Sequence, residues 1–261
     1  GPALVIRGSV AVTNGDVSVQ LSQAAMSEVT APLGSWRTLR DSLTYRVMLA
    51  VWDTLSPLAR SLPRGALPHT SLGLARFLHA EQLVAAGEWG NAYRAYAEAE
   101  STDPTCWLCS WRLSDVERWL GREHDPARLQ RVRDHIDAFP PWYQNLIRAA
   151  DLPLPQRLEL LHTETREFRD FFLGYLLLGD ELLHRGPLVG HPRAEAIPLF
   201  EQAALRRPDF APAWEHLAWV DITEGDSAGA TRALAALDTR TVGNDPFALA
   251  VRALVRVAFA F

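Results

Sequence analysis

The sequence predicts a mainly α protein in which a short N-terminal β-hairpin and one long helix precede an array of antiparallel helix pairs. Three observations predict it. Val-rich runs flank a single Asn14-Gly15 step. Apolar residues recur at helical spacing from Trp36 onward. From about residue 70, a pattern of small residue, Gly, Ala, aromatic and Pro returns at fixed offsets between short breaks.

Ala3 to Val12 and Asp16 to Leu21 alternate roughly in polarity around Asn14-Gly15, so a hairpin is expected over residues 4–22. Both central residues of a two-residue hairpin turn need positive φ, which Asn and Gly supply. A lone hairpin is marginal in water, so it must pair with strands absent from this chain or pack on the helices that follow. Residues 23–35 read as a polar loop with Pro32 and Gly34, and Ser35 as the N-cap of a helix from Trp36 to about Leu58. Leu39, Leu43, Val47, Leu49, Val51, Trp52 and Leu55 form its apolar face. Pro57 and Pro63-Arg64-Gly65 end it. A linker over 57–69 then separates an α+β piece, residues 1–60, from a helical domain over 70–261.

In that domain Ala80, Gly87, Ala92, Tyr96, Ala99 and Asp103-Pro104 set the pattern. Small residues suit positions where two helices cross. Gly suits the tight turn between them, and Pro suits a helix start, where its missing N–H is harmless. Trp214, Leu217, Ala218, Gly225 and Ala230 repeat the offsets, preceded by Pro208. Tyr175, Leu178, Gly179, Gly186, Ala196, Phe200 and Ala203 repeat them with an inserted loop over 185–193. The best copies span 73–106, 172–209 and 211–244, and a weaker one starts at Trp107 and reaches Gly121. Residues 140–165 depart from the pattern, with short helices punctuated by Pro140-Pro141 and Pro153 to Pro155. These residues resemble the tetratricopeptide repeat family, which implies a right-handed α-superhelix whose first helices line a concave face. More loosely, Ile6 to Val10, Val17 to Leu21 and the helix from Trp36 resemble the region after the TolB-like segment of bacterial signalling proteins, among them Ser/Thr kinases and adenylate-cyclase-type regulators. No kinase or cyclase motif accompanies that likeness.

Composition narrows the function classes. The chain has 261 residues, 48% hydrophobic and 22% charged, enough for a large core. No apolar run of about 18 residues is present, so no membrane span is expected, and no signal-peptide pattern is visible. The net charge of −5 argues against a nucleic-acid partner held by phosphate neutralisation. All 26 basic residues are Arg, a usage typical of GC-rich bacterial genomes. The compartment stays open between the bacterial cytoplasm and the periplasmic side of an anchored signalling protein.

Chemistry-bearing patterns are few. Cys106-Trp107-Leu108-Cys109 is a single CxxC at a helix start. It can form a disulfide, or it can supply two small buried residues between repeats. Zinc would need further ligands, and no second CxxC or HExxH is present, so no metal is expected. No nucleophile elbow, P-loop or dinucleotide fingerprint occurs, so neither cofactor nor catalysis is expected. His184 and His191 flank the 185–193 loop with Arg185 and Arg193, which reads either as an anion or phosphopeptide site or as a solvated loop with helix-end cations.

The repeat resemblance maps concave-face slots onto Phe77, Glu81, Trp111, Asp115, Arg118, Trp119, Leu176, Asp180, His184, Glu215 and Trp219. Trp with Arg and acids is the composition of an interface hot spot, although Trp111, Trp119 and Trp219 can equally fill core. Trp214 belongs to a core slot. The expected function is a non-catalytic scaffold or sensor binding a protein or peptide in this groove. Two alternatives stand beside it. One is a structural subunit that self-assembles through the hairpin edge and the apolar C-terminal helix with Arg252 and Arg256. The other is an anionic-ligand sensor using the 185–193 loop.

Overall fold

The computed structural model describes residues 8–21, 29–32, 34–55, 62–240 and 243–260, and it is a mainly α-helical domain with a small N-terminal antiparallel sheet. Strands β1 (Gly8–Thr13) and β2 (Asp16–Leu21) form the hairpin, with Thr13 opposite Asp16. The turn residues sit in the left-handed region, Asn14 at φ 53° and Gly15 at φ 85°, as a two-residue turn demands.

The stretch expected as loop holds a third strand, β3 (Val29–Pro32), paired antiparallel with β2. Val29 and Ala31 point inward and are buried, while Thr30 bonds Ser18 across the outer face at 3.1 Å. Four residues ending in Pro give too short an alternation to stand out in sequence. Helix α1 (Trp36–Leu55) lies against β3 and against α2 (Ser71–Ala85). Its Tyr45, Met48, Leu49 and Trp52, one face of a helix, pack on the main core.

Of the expected linker, residues 57–61 lie outside the described residues, and the remainder is no linker. Leu62, Ala66 and Leu67 are buried in the core around a short 3-10 turn at Arg64–Ala66. A Cβ on Gly65 would sit 2.9 Å from the Ala138 carbonyl oxygen, so this segment is wedged against the middle of the domain.

From Thr70 the chain runs through α2, α3 (Trp89–Thr102), α4 (Trp107–Trp119), α5 (Pro126–Asp134), α6 (Pro141–Ala149), α7 (Leu154–Glu167), α8 (Phe172–His184), α9 (Ile197–Arg206), α10 (Ala211–Glu224), α11 (Ser227–Asp238) and α12 (Pro246–Ala260). Starts and stops follow local chemistry. The Thr70, Asp125 and Asp226 side chains accept from backbone N–H groups of the first turns of α2, α5 and α11. Pro126 and Pro141 open α5 and α6. Gly87 and Gly225, at φ 79° and 78°, turn α2 into α3 and α10 into α11. After α8 the left-handed residue is Gly190 rather than Gly186, because the insertion moves the turn downstream.

The pattern residues are buried as helix-crossing positions should be. Ala80, Ala92, Tyr96, Ala99, Leu178, Phe200, Ala203, Ala218 and Ala230 are each 0% exposed. Among the described residues, no helix is long and apolar enough to cross a membrane.

The array also closes on itself. Asp245 accepts from the backbone N–H groups of Phe247 (2.9 Å) and Ala248 (3.1 Å), capping α12, while its other oxygen accepts from Asn91 N–H at the start of α3 (2.7 Å). Glu88 reciprocates by accepting from Gly243 N–H at 2.8 Å. Helix α12 thereby packs on both α10 and α3. Arg252 of α12 donates to the carbonyls of Leu237 and Arg240 behind α11.

Two predictions test this packing. Adding a Cβ to Gly179 of α8 would place it 2.8 Å from the fully buried Phe200 ring of α9. Gly179→Ala is expected to destabilise the fold by about 1–3 kcal/mol in denaturant titration; an unchanged midpoint would refute the α8–α9 packing. Glu164 of α7 is 0% exposed, with Oε2 accepting from Asn145 at 2.9 Å. Burial pushes its carboxyl from 4.5 up to about 7, with Glu167 adding to the effect and the Asn145 bond opposing it. A carboxyl raised on folding favours the folded state below its unfolded value, and that advantage is lost as pH rises through the folded value. Glu164→Gln should therefore flatten the loss of stability between these two values. It should leave the protein about 1–3 kcal/mol more stable on the alkaline side, read from melts across pH.

Candidate functional site

A cavity of about 350 Å³ lies among α4 to α8. Trp111, Asp115 and Arg118 of α4 line one wall, one helical turn apart. Leu129 and Arg133 of α5, Leu146 and Ala149 of α6, Leu161 of α7 and Leu177 of α8 supply most of the rest. Apolar groups form the floor and charged pairs the rim. Arg118 donates to Asp115 at 3.0 Å, and Arg133 donates through Nε to Asp151 at 2.7 Å. Arg157 donates to buried Glu181 at 2.8 Å and to the Ala149, Ala150 and Leu152 carbonyls that end α6. Glu181 also meets Arg185 at 3.2 Å and Arg118 at 3.9 Å.

Most of the other residues expected on the concave face do not line this cavity. Phe77 is 0% exposed, its ring 6.1 Å from Tyr96, so it is core rather than groove surface. Glu81 is also buried. It holds Arg112 Nε at 2.9 Å and accepts from the Tyr96 hydroxyl, binding α2, α3 and α4 together. Burial opposes the Arg112 charge, and Glu81, Tyr143, Tyr96 and Asp115 together outweigh that cost. Leu176 is core as well. Trp111 is 6% exposed, meeting Tyr143 edge-on at 5.4 Å while still lining the cavity. Trp219 is partly buried against the core, as is Trp214, whose indole N–H donates to Pro208 O at 3.0 Å.

A second cluster gathers Trp119, Asp180, His184 and Glu215 around His216 of α10, a residue the sequence did not single out. Trp119 stacks on Trp89 at 4.9 Å and meets the His216 ring edge-on at 5.1 Å. Asp180 Oδ1 lies 3.4 Å from His184 Nε2 and 3.6 Å from His216 Nε2. Burial alone would raise the Asp180 carboxyl, but His216, Arg118 and His184 hold it below the usual carboxylate range. Burial works to lower His216, yet Asp180 and Glu215 carry it above the ordinary imidazole value. Burial lowers His184 and raises Glu215. Asp180 and His184, four apart on α8, were legible as neighbours; His216 arrives from another helix pair and left no local signal.

Cys106 and Cys109 are joined in a disulfide at the N-terminus of α4, both sulfurs fully buried, so the pair fastens the helix start. Around the 185–193 loop several cations meet carboxylates, while His191 also joins His162 and Arg166 in lining a second cavity. His184 faces Asp180, Arg185 faces Glu181, and His191 bonds Glu195 at 2.8 Å.

Compared with protein-family models, curated proteins and solved structures, the chain matches none of them.

Proposed function

We propose that this chain is a tetratricopeptide-like helical-repeat scaffold or sensor of a bacterial signalling protein, binding a protein or peptide segment through the cavity between α4 and α8. The observation that carries this reading is the cavity itself. An apolar floor of Leu129, Leu146, Leu161 and Leu177 under Trp111 sits inside a rim of matched charges. Its volume of about 350 Å³ lies within the range of recognition pockets. The rim arginines are already neutralised by Asp115, Asp151 and Glu181, so the site suits an apolar or aromatic anchor with polar flanks better than an anion.

A second reading, self-assembly, is favoured by two exposed apolar surfaces. Val10 and Val12 on the β1 edge are 68% and 61% exposed. Leu249, Leu254 and Val257 on α12 are exposed by at least half.

Ala150 lines the cavity mouth and is exposed, so Ala150→Trp fills the pocket without touching the core. Peptides selected from a random display library on the wild type should carry a bulky apolar anchor. Their affinity should fall at least about tenfold in Ala150→Trp. Selection that yields no binder, or binders indifferent to Ala150→Trp, would refute the pocket reading. Concentration-dependent oligomers abolished by Val10→Lys with Leu254→Lys would favour self-assembly instead.

A further inference from the structure

One ligand atom from each of Asp180, His184 and His216 lies within 4.8 Å of the other two, on two helices that are not consecutive in the chain. From this geometry we infer a site for one divalent first-row transition-metal ion of the zinc class, clamping α8 to α10. Absence of any ligand-spacing motif had predicted no metal; the set becomes visible only when the helices pack.

The distances suit such an ion. Ligand atoms at about 2.0–2.1 Å from a tetrahedral zinc stand about 3.3 Å apart. The Asp180–His184 and Asp180–His216 separations of 3.4 and 3.6 Å are close to that edge. The remaining edge is at most 4.8 Å, and the His184 ring, 59% exposed, lies on the solvent side of the set.

The outer groups support the same assignment. His216 Nδ1 lies 2.7 Å from the Pro212 carbonyl oxygen, an acceptor only, so Nδ1 carries a proton, and Nε2, which faces Asp180, is the atom that would hold the ion in place of the proton it shares with that carboxylate. A backbone carbonyl fixing the far nitrogen is the usual way a ligating imidazole is oriented. The Trp119 ring and the Phe200 ring, each 5.1 Å from His216, wall the site on the buried side. His184 keeps the other side open to solvent, which gives the ion an entry path and a fourth position for water. Two imidazoles and one carboxylate, with no thiolate, suit zinc, cobalt or ferrous iron rather than calcium or magnesium. The charges facing the site are mixed. Arg118 opposes a cation, whereas Asp180 and Glu215 favour it. Because the ligands come from two helix hairpins, an ion bound there adds a cross-link that the folded chain has and the unfolded chain lacks.

The test is calorimetric titration of Zn²⁺ into the chelator-treated full chain at neutral pH, with Co²⁺ absorption as a second probe. One saturable site per chain is expected, with a four- or five-coordinate Co²⁺ spectrum and a higher melting temperature in the presence of Zn²⁺. His184→Ala removes a solvent-facing ligand without opening the core, and Asp180→Asn removes the carboxylate charge. Each should weaken Zn²⁺ binding by at least about 100-fold, while His191→Ala, outside the triad, leaves it unchanged. Failure to saturate at one ion per chain overturns the inference. So does binding that survives His184→Ala, or binding that falls equally in His191→Ala.

Discussion

The return of α12 to the start of α3 is the constraint on which the packing of the helices depends. Asp245 caps α12 with one oxygen and holds the start of α3 with the other, and Glu88 binds Gly243 in return. The approach is so close that a Cβ on Gly90 would lie 2.9 Å from Asp245, and one on Gly243 2.7 Å from Glu88. In an open solenoid each repeat touches only its neighbours. Here α10 reaches α4, setting His216 against Trp119.

Charge in this interior is handled by pairing. Arg112, 4% exposed, is answered by Glu81; Glu181, 3% exposed, is answered by Arg157 and Arg185. Removing one member of such a buried pair typically costs about 3–5 kcal/mol, because the other charge is left without a partner. The pairs also join elements that apolar packing alone would let slide: Glu81–Arg112 ties α2 to α4, and Glu181–Arg157 ties α8 to α7. Buried Glu164 and half-buried Asp180 differ from these. Glu164 has only an amide partner on one oxygen, and Asp180 shares its environment with two imidazoles. That difference separates groups that fix the fold from groups whose protonation responds to their surroundings.

Local chemistry was legible in the sequence. The Asn14-Gly15 turn, the helix starts at Pro126 and Pro141, the Gly87 and Gly225 turns and the buried Ala80, Ala92 and Ala218 all follow from conformational preference or side-chain size. What escaped was long-range. Strand β3 is defined by its partner β2 rather than by its own four residues. The Asp245–Asn91 contact joins positions 154 apart, and periodicity within a repeat says nothing about where an array meets itself. For the same reason, Trp111, Asp115 and Arg118 could be placed near a common surface from their helical spacing, while Arg133, Asp151 and Arg157 could not. They belong to α5, the α6–α7 connection and α7, where the repeat pattern lapses.

Every cation in these pairs other than histidine is a guanidinium, because the chain contains no lysine. A guanidinium does not lose its proton in the accessible pH range, and its planar fork binds carboxylates through two nitrogens. The rim of the cavity therefore keeps its charge pattern in alkaline solution, where an amine-based rim would fade. The same composition leaves acetylation, ubiquitin transfer and amine-directed cross-linkers without a side-chain target anywhere in the sequence. Covalent control of this surface would have to act through its hydroxyls, its acids or its arginines.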